Sequence, residues 1–321
     1  MGILGIKYAM KSKIFPFVSS TIVIAMLVSF PDRYLASSLD GLKIFALNVL
    51  PALLPFLFFS QLLTLLGAGR YIGRALSKPC KLLYNTSGVG GYIFALSILS
   101  GYPVGAKLLS ECYKNGSITR SDACSIMSYT STSGPMFVLG TVGTIMLRNK
   151  MGGIIILVCH YLSAILNGLL YRGKGGTSKA VITHTKNPLF ESTKSAVNSV
   201  ATCGAYIAIF YMVAVMLQDI GVIAWISKLF HPLLGSLSDG FVFGLVEITG
   251  GCIKLSQVNS VLTLPTICAI VTFGGLSVTL QSVTFLSECN ISWKRYIVCK
   301  LTQSVIAYLL TYLAVLIFYP L

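Results

Sequence analysis

The sequence predicts an all-α polytopic membrane protein that contains an inverted repeat, two re-entrant hairpins and two broken transmembrane helices. Of its 321 residues, 55% are hydrophobic and 10% are charged, and the mean hydropathy is +0.82, which is typical of proteins with several membrane spans. The run 91–101 aligns without a gap with the run 240–250, and each ends in a small hydroxyl residue and a glycine. Because a spanning helix needs roughly 20 apolar residues and runs of about 10–14 are typical of re-entrant segments, both runs predict hairpins.

Apolar runs and charged loops give the order of the elements. Three lysines precede the first run, over 14–30, which we interpret as an uncleaved span because no clear cleavage site follows it. A basic amphipathic helix is predicted over 70–84 and a second interfacial helix over 220–236. The hairpins are predicted at 88–111 and 238–258, and the other spans at 42–66, 121–147, 152–171, 198–218, 262–286 and 295–318.

Loop charges predict the orientation of these elements. If each hairpin enters and leaves on one side, eighteen of the 24 lysines and arginines are cytoplasmic, and three of these lie in 294–300. A full crossing by 88–111 would move the five basic residues of 172–194 outside, which the positive-inside rule disfavours. The N-terminus is therefore predicted to be cytoplasmic and the C-terminus to lie on the opposite side. The predicted units are an N-terminal anchor span 1–40, a first repeat 41–171, a basic cytoplasmic linker 172–197 and a second, inverted repeat 198–321.

The first predicted hairpin tip is the irregular stretch Ser100-Gly101-Tyr102-Pro103. Irregular backbone at membrane depth is tolerated only where it is buried in protein or lines a watery cavity. Pro103 ends one helix and suits the first turn of the next, whose free N–H groups favour a carboxylate. The alternative is a helix-packing motif of small residues.

Two predicted spans contain polar breaks. The first break is Thr130-Ser131-Thr132-Ser133-Gly134-Pro135, where hydroxyl groups can satisfy carbonyls that Pro135 leaves free; the alternative is a plain proline kink. The second is Gly274-Gly275-Leu276-Ser277, followed by Gln281. Paired, Gly/Pro-interrupted hydrophobic segments in two halves of a chain indicate a transporter's binding site.

Glu247 is the one acidic residue predicted deep within an apolar segment, beside Thr249 and Gly250. An intramembrane carboxylate is a functional hypothesis by default. It could carry a coupling proton, hold Na⁺ or orient the solute. The alternative is a structural ion pair with Lys254 or Lys107.

Metal, cofactor and nucleic-acid functions are not predicted. The nine cysteines and three histidines show no metal-ligand spacing, and no catalytic or phosphate-binding motif occurs in the chain. The net charge of +15 lies in short loops between apolar runs, which is where membrane topology places it. The lipid bilayer is therefore the predicted partner, and we predict no enzyme activity.

Five motifs along the chain resemble the YlbJ (SpoVV) sporulation integral membrane proteins, which belong with the nucleoside-recognition, or Gate, domain proteins. The resemblance covers nearly the whole chain from about residue 40, and the motif 100–107 is its most specific part. The motifs are Leu50-Pro51-Ala52-Leu53-Leu54-Pro55-Phe56, Leu99-Ser100-Gly101-Tyr102-Pro103-Val104-Gly105-Ala106-Lys107, Ser133-Gly134-Pro135-Met136-Phe137, Glu247-Ile248-Thr249-Gly250-Gly251 and Phe273-Gly274-Gly275-Leu276-Ser277.

The resemblance implies a sporulation protein that moves dipicolinic acid from the mother cell across the outer forespore membrane. It also implies an arrangement similar to the concentrative nucleoside transporters, whose trimers make a homo-oligomer an expectation here. The nucleoside carriers often have a glutamate at the first hairpin tip, and this chain has none there. That departure favours an anionic solute such as dipicolinate over a nucleoside.

We therefore predict a carrier of a small anionic solute, coupled to a proton or Na⁺ at Glu247. A nucleoside carrier, or a sporulation scaffold that transports nothing, are the alternatives. An intramembrane enzyme has no acid–base pair, metal cluster or partnered nucleophile to support it. The predicted solute contacts are Ser100, Gly101, Tyr102, Pro103, Ser131, Thr132, Ser133, Gly134, Glu247, Thr249, Gly250, Gly274, Gly275, Ser277 and Gln281.

Overall fold

The computed structural model describes residues 3–175 and 187–318, which form helices with no strand among them. The predicted fold class is confirmed, because the helices include two hairpins and two helices interrupted at the predicted breaks. Residues 176–186 of the predicted basic linker lie outside the described residues.

In the first half of the chain the two short helices of the first hairpin, α6 and α7, are followed by a broken helix formed by α8 and a π-helical segment, π2. The bounds are α1 (Ile3–Ser29), α2 (Pro31–Ile44), the π-helical segment π1 (Phe45–Val49), α3 (Leu50–Leu65), α4 (Ala68–Ala75), α5 (Ser77–Tyr84), α6 (Gly88–Ser100), α7 (Val104–Lys114), α8 (Arg120–Ile126), π2 (Met136–Met146) and α9 (Lys150–Leu170).

The second half has the same order, with a hairpin formed by α12 and α13 and a broken helix formed by α14 and α15. A short 3₁₀ turn (Gly235–Leu237) joins α11 to α12. The bounds are α10 (Pro188–Asp219), α11 (Val222–Leu234), α12 (Ser238–Val246), α13 (Ile248–Ser256), α14 (Thr263–Phe273), α15 (Gly275–Ser287) and α16 (Trp293–Phe318).

Several predicted boundaries differ from the structure; for example, α1 begins at Ile3 rather than at residue 14, and α10 begins at Pro188, within the predicted linker 172–197. Prolines account for two further differences. The helix predicted over 70–84 is the pair α4 and α5, because Pro79 has no N–H with which to continue the hydrogen bonding of α4. The span predicted over 42–66 continues a helix that begins at Pro31. Just before Pro51 its hydrogen bonds shift to the wider π type, with Leu50 N–H donating to the Phe45 carbonyl.

Many helices are suited to a lipid environment. Five among the described residues are long and apolar enough to cross a membrane, and the count reaches eight if each of three sharply bent helix pairs is one span. On α16, Leu301, Val305 and Leu309 are exposed, whereas Ala307 and Thr311 on the opposite face are buried. An apolar outer face with a polar inner face is expected of a helix that contacts lipid.

Polar contacts join helix ends that the predicted hairpins place on the same side of the membrane. The end of α7 meets the end of α15, where Lys114 Nζ lies 2.8 Å from a Glu288 carboxylate oxygen. In the same region Arg120 Nε donates to the Asn290 carbonyl at 3.1 Å. The start of α2 meets the end of α10 through the Arg33–Asp219 ion pair, at 2.7 Å.

Each hairpin packs closely against the broken helix of its own repeat, and glycines permit the approach. A Cβ on Gly101 would lie 2.5 Å from Gly134 N, and one on Gly105 would lie 2.0 Å from the Thr130 carbonyl oxygen. In the second repeat a Cβ on Gly275 would lie 2.9 Å from the Gly244 carbonyl oxygen. Side chains at these positions would separate hairpin from helix.

The long helix α10 packs along α2 and α3.

Candidate functional site

Both hairpin tips and both breaks line one cavity of about 50 Å³ inside the bundle. The rest of its wall comes from α3, π1, π2, α10 and α15. The lining residues are Val49, Leu53, Gly101, Tyr102, Ser133, Gly134, Phe137, Cys203, Ile207, Glu247, Ile248, Thr249, Ser277, Val278 and Gln281.

At the second tip, Glu247 caps the helix that follows it. Its backbone is extended, its side chain is fully buried, and its two carboxyl oxygens accept from Thr249 N at 3.0 Å and from Gly250 N at 2.7 Å. These N–H groups are at the positive end of the α13 dipole, which stabilises a carboxylate. The second tip therefore holds an acidic side chain on the N–H groups of its own helix.

Neither of the alternative lysine partners pairs with Glu247. Lys254 Nζ lies 5.0 Å from the centre of the Phe243 ring, and Lys107 Nζ donates to Ser195 Oγ at 2.7 Å. Within the described part of the chain, no ion pair includes Glu247.

At the first tip, Gly101 adopts a positive φ of 76°, and the Tyr102 side chain reaches the second broken helix. The Tyr102 hydroxyl donates to the Thr272 carbonyl at 2.9 Å. The same hydroxyl accepts from Lys300 Nζ at 2.8 Å. The first tip is thus held by groups of the second repeat.

The position of Lys300 corrects the orientation analysis, which counted it with a cytoplasmic loop. It lies within α16, is only 2% exposed, and also donates to the Ser131 carbonyl at 2.9 Å and to Gln303 Oε1 at 3.0 Å. The count on the predicted cytoplasmic side falls by one, and its excess over the six on the other side remains.

Side chains satisfy much of the backbone of the first break, which has helical hydrogen bonds only at its ends: Thr130 N–H donates to the Ile126 carbonyl, and the Gly134 carbonyl accepts from Val138 N–H. The carbonyls of residues 128, 130, 131 and 133 all accept hydrogen bonds from side chains of other elements. The donors are Asn167 to Ser128, Ser97 to Thr130, Lys300 to Ser131 and Tyr161 to Ser133. Three hydroxyls of the break are engaged in turn: Thr130 Oγ1 donates to the Ile126 carbonyl at 2.9 Å, Ser131 Oγ lies 2.9 Å from the Tyr296 hydroxyl, and Thr132 Oγ1 lies 3.0 Å from Ser97 Oγ.

His160 joins the two breaks. Its Nε2 accepts from the Ser133 backbone N–H at 2.9 Å, and its Nδ1 lies 2.8 Å from Thr272 Oγ1. An imidazole nitrogen that accepts a hydrogen bond carries no proton, so Nε2 is unprotonated in this arrangement. The geometry therefore corresponds to the neutral ring with its proton on Nδ1. The ring is completely buried and so fixes the spacing of the two breaks.

A larger vestibule of about 410 Å³ adjoins the cavity, and Gln281 lines both. It lies between α10 on one side and α7 and α15 on the other, and its volume is within the range of small-molecule sites. Its charged lining groups are Lys107, Lys194 and Glu191, and most of the others are hydroxyl or amide side chains.

The structure brings eight of the fifteen predicted site residues to the cavity wall. They are Gly101, Tyr102, Ser133, Gly134, Glu247, Thr249, Ser277 and Gln281. Pro103 lines the vestibule. Ser100, Ser131, Thr132, Gly250, Gly274 and Gly275 are not among the residues of the cavity wall. Contact with a solute stays a prediction for all fifteen residues.

Sequence analysis missed Lys300 and His160, and a helical pattern could have indicated both. Lys300, Gln303, Ala307 and Thr311 recur at spacings of three or four on α16, as do His160, Ser163 and Asn167 on α9. Each set forms a buried polar or small-residue face on an otherwise apolar helix.

The fold is similar to that of solved transporter structures. Among solved structures, the chain is similar to the concentrative nucleoside transporter CNTnw in an intermediate state, with a TM-score of 0.57, 15% identity and coverage of 99% of this chain and 87% of that chain. The likeness to an outward-facing state of CNTnw has a TM-score of 0.56 at 14% identity, over 97% of this chain and 85% of that chain. At this identity the likeness shows the fold.

Among curated proteins, the chain is 28% identical to the sporulation integral membrane protein YlbJ of Bacillus subtilis (strain 168). The alignment spans 317 residues and covers 88% of this chain and 78% of that protein. The resemblance that the sequence motifs indicated is confirmed. No family model matches the chain.

Proposed function

We propose that this chain carries a small anionic solute through the membrane, that the solute is dipicolinate, and that it binds where the two tips and the two breaks meet. The observation that supports this most directly is the cavity lined by both tips and both breaks. A scaffold that transports nothing has no use for polar, irregular backbone converging inside a bundle, because such backbone is costly away from water.

The charges around the cavity favour an anion. The Lys300 ammonium lies 4.9 Å from the centre of the Tyr102 ring, and Tyr102 also lines the cavity. The Glu247 carboxylate is compensated by two N–H groups, whereas no carboxylate pairs with Lys300 among the described residues. Lys107 and Lys194 in the vestibule add positive charge along the path to the cavity.

Hydroxyl groups near the tips are available to bind carboxylate oxygens. Ser133, Thr249 and Ser277 line the cavity. Ser100 Oγ and Thr279 Oγ1 are buried nearby in the chain, and neither has a hydrogen-bond partner in the described residues. Buried hydroxyls without partners are costly. Neither Ser100 nor Thr279 lines the cavity, so on this proposal their hydroxyls become available to the solute only when the cavity widens.

The cavity must widen to accept such a solute. Its volume of about 50 Å³ is well below the roughly 300–1,000 Å³ of small-molecule sites. The vestibule is the nearest space from which it can be enlarged, through the Gln281 side chain that lines both. On this proposal the repeats 41–171 and 198–321 each contribute one tip and one break to a site that opens and closes.

Glu247 is proposed to orient the second tip by capping α13, and its coupling role remains a prediction. If Glu247 carries a proton, Glu247→Gln abolishes the pH dependence of uptake. If it only caps the helix, Glu247→Gln lowers the stability of the protein and leaves the pH dependence unchanged.

Direct binding tests the substrate. Purified protein is titrated calorimetrically with dipicolinate, with a neutral nucleoside, and with benzene-1,3-dicarboxylate, which has the same carboxylates without the ring nitrogen. We expect binding of dipicolinate and none of the nucleoside. Nucleoside binding without dipicolinate binding would establish the alternative carrier, as the CNTnw fold allows.

Two serine variants test the location of the site. Ser133→Ala and Ser277→Ala each remove a cavity hydroxyl and are expected to weaken dipicolinate binding roughly tenfold, as loss of a hydrogen bond to a charged group does. Ser256→Ala is the matched control, since its hydroxyl bonds to the Ile253 carbonyl away from the cavity. Equal affinities in all three variants would remove the site assignment.

The cellular setting is part of the proposal. The similarity to YlbJ supports a role in sporulation, and we propose that the chain acts in the outer forespore membrane with its N-terminus cytoplasmic and its C-terminus on the opposite side. A fluorescent fusion produced only in the mother cell should surround the forespore. Fluorescence confined to the forespore's own membrane would contradict this location.

A further inference from the structure

Lys300 is the one buried lysine among the described residues, and the function proposed above uses only its charge. Its Nζ contacts three oxygen atoms at 2.8–3.0 Å: the Tyr102 hydroxyl, the Ser131 carbonyl and Gln303 Oε1. These oxygens belong to the first tip, the first break and α16. A cation thus lies where three elements of the site converge.

The hydrogen bonds of Tyr102 define which groups carry protons. The Tyr102 hydroxyl has one proton, and its shortest contact with a carbonyl is with Thr272, at 2.9 Å. A carbonyl only accepts, so the Tyr102 proton points to Thr272 and the hydroxyl oxygen accepts from Lys300. Since the Ser131 carbonyl and Gln303 Oε1 also accept, the three contacts of Lys300 match the three donors of the charged –NH₃⁺ form.

The surroundings of this ammonium are those of a cation site. Thr272 is next to the last residue of the half-helix α14, whose carbonyl end carries partial negative charge, and Ser131 belongs to an unwound stretch. In secondary transporters, unwound carbonyls and half-helix C-terminal ends coordinate coupling Na⁺ or protons. In this chain the cation at the oxygens of the first break and the first tip is a lysine side chain, that of Lys300.

We propose that the Lys300 ammonium is a built-in cation, which occupies the oxygen set that would otherwise hold a coupling Na⁺, so that solute binding at this site does not depend on sodium. The residues present do not fit a sodium ion at these oxygens, because the Lys300 protons are directed at all three. The part of the proposal that concerns the solute rests on the function proposed above, and the part that concerns the cation does not.

The same arrangement connects the first tip to both breaks. Lys300 bonds to Tyr102 and Ser131, and Tyr102 bonds to Thr272. Lys300→Ala would leave the Tyr102 hydroxyl and the Ser131 carbonyl without this donor and would empty the space that the lysine side chain fills. A small free cation can then enter that space, whereas none can enter in the wild type.

The first experiment measures thermal unfolding of the full purified chain in sodium and in choline chloride at equal ionic strength. The wild type is expected to unfold at the same temperature in both salts. Lys300→Ala is expected to unfold at a lower temperature, and methylammonium is expected to raise that temperature in a saturable manner, because a ligand that binds only the folded state stabilises it.

Lys294→Ala is the matched control, since Lys294 lies on the same helix, is exposed, and has its Nζ 5.8 Å from the centre of the Trp293 ring. It should show no response to methylammonium beyond that of the wild type. Lys300→Met, which fills the space without charge, should be destabilised and should not be rescued. A Lys300→Ala protein that responds no more than Lys294→Ala would overturn the proposal.

The wild type alone decides the matter if the Lys300 variants do not fold. Dipicolinate affinity is measured with and without sodium, and the dissociation constant is expected to change by less than about twofold, well below a tenfold coupling of about 1.4 kcal/mol. Where dipicolinate does not bind, the wild-type unfolding temperature in sodium and choline takes its place. If sodium specifically tightened dipicolinate binding or raised the unfolding temperature, the built-in cation would be overturned. If dipicolinate did not bind at all, only the proposed function would be overturned.

Discussion

The two hairpin tips have the same place in their repeats and are held by side chains of opposite kind. The first tip is held by a basic residue of the other repeat, because Lys300 of α16 bonds to Tyr102. The second tip is held by its own acidic residue, because Glu247 caps the helix that it precedes. A repeat in sequence therefore need not be a repeat in the groups that hold its tips.

Both tips or breaks use a glycine to allow close packing, and replacing such a glycine should have the largest effect on stability. Gly101→Val combines a positive φ of 76° with a Cβ that would lie 2.5 Å from Gly134 N. We expect a loss of about 3 kcal/mol or more in the free energy of unfolding, since backbone strain of about 1–3 kcal/mol adds to the steric clash. Thermal unfolding and the yield of folded protein measure this loss.

Gly116→Val is the matched control, because Gly116 has a φ of +67° and no atom within 4 Å of its added Cβ. It should cost only the backbone term, about 1–2 kcal/mol. Gly275→Val, with a φ of +63° and a 2.9 Å approach to the Gly244 carbonyl oxygen, should resemble Gly101→Val. Equal losses at Gly101 and Gly116 would show that the hairpin and the broken helix do not pack as described.

Glu247→Ala separates the second tip from the first. It leaves the Thr249 and Gly250 N–H groups without an acceptor in a buried place, and we expect a loss of about 2–3 kcal/mol of stability. Glu247→Gln keeps one acceptor oxygen and should lose about 1 kcal/mol, as helix caps do. Thermal unfolding of the variants measures both losses.

Asp239→Asn in the first turn of α12 is the control for these variants, since this carboxylate is exposed on the same hairpin. Its effect should stay within about 0.5 kcal/mol. A Glu247→Ala protein as stable as the wild type would contradict the capping role.

His160 tests the connection between the halves. His160→Phe removes the acceptor of the buried Ser133 N–H, and we expect a loss of about 1–3 kcal/mol, with a smaller loss for His160→Gln, which retains an acceptor. Thermal unfolding measures the losses, with His231→Gln, at an exposed position of α11, as the control. If His160→Phe proved as stable as His231→Gln, the bond to Ser133 would contribute nothing.

The smallest expected effect is that of pH at the end of the bundle where α7 meets α15. The hydrogen bond from Lys114, followed by that from Ser110, lowers the pKa of Glu288 below its ordinary value. The stability from this pair is therefore present above the pKa of the unfolded chain and is lost as the pH falls through the lower, folded pKa.

The pair is partly exposed, so we expect less than about 1 kcal/mol, reduced further by salt. Glu288→Gln should flatten the acid limb of the unfolding temperature against pH by this amount. A steeper acid limb in the variant would show that the sign is wrong.

The positions of the tips and breaks could be predicted because glycine, proline and hydroxyl residues interrupt apolar runs for local reasons. Gly101, Pro135 and Gly274 all mark points where helical hydrogen bonding ends or changes. The identity of the partners could not be predicted in this way. Lys300 follows Lys294 and Arg295 closely, so a count of loop charges assigns all three to one side, and only the turn of α16 shows that Lys300 points inward.

The role of the predicted hydroxyls shows a second limit of sequence patterns. Ser131 and Thr132 belong to the same polar run as Ser133, yet their hydroxyls bond to Tyr296 and Ser97, and only Ser133 of the three lines the cavity. An irregular backbone has no periodicity from which side-chain direction can be derived. The break could be found from its composition, and its cavity-facing residues could not.

A cryo-electron microscopy structure of the full chain with saturating dipicolinate tests the central claim most directly. We predict density for the dicarboxylate between Gly101 and Tyr102 of the first tip and Glu247 and Thr249 of the second, with Ser133 in contact and the cavity enlarged toward the vestibule. A bound ligand whose density lies elsewhere in the protein, with this cavity unchanged, would contradict the account.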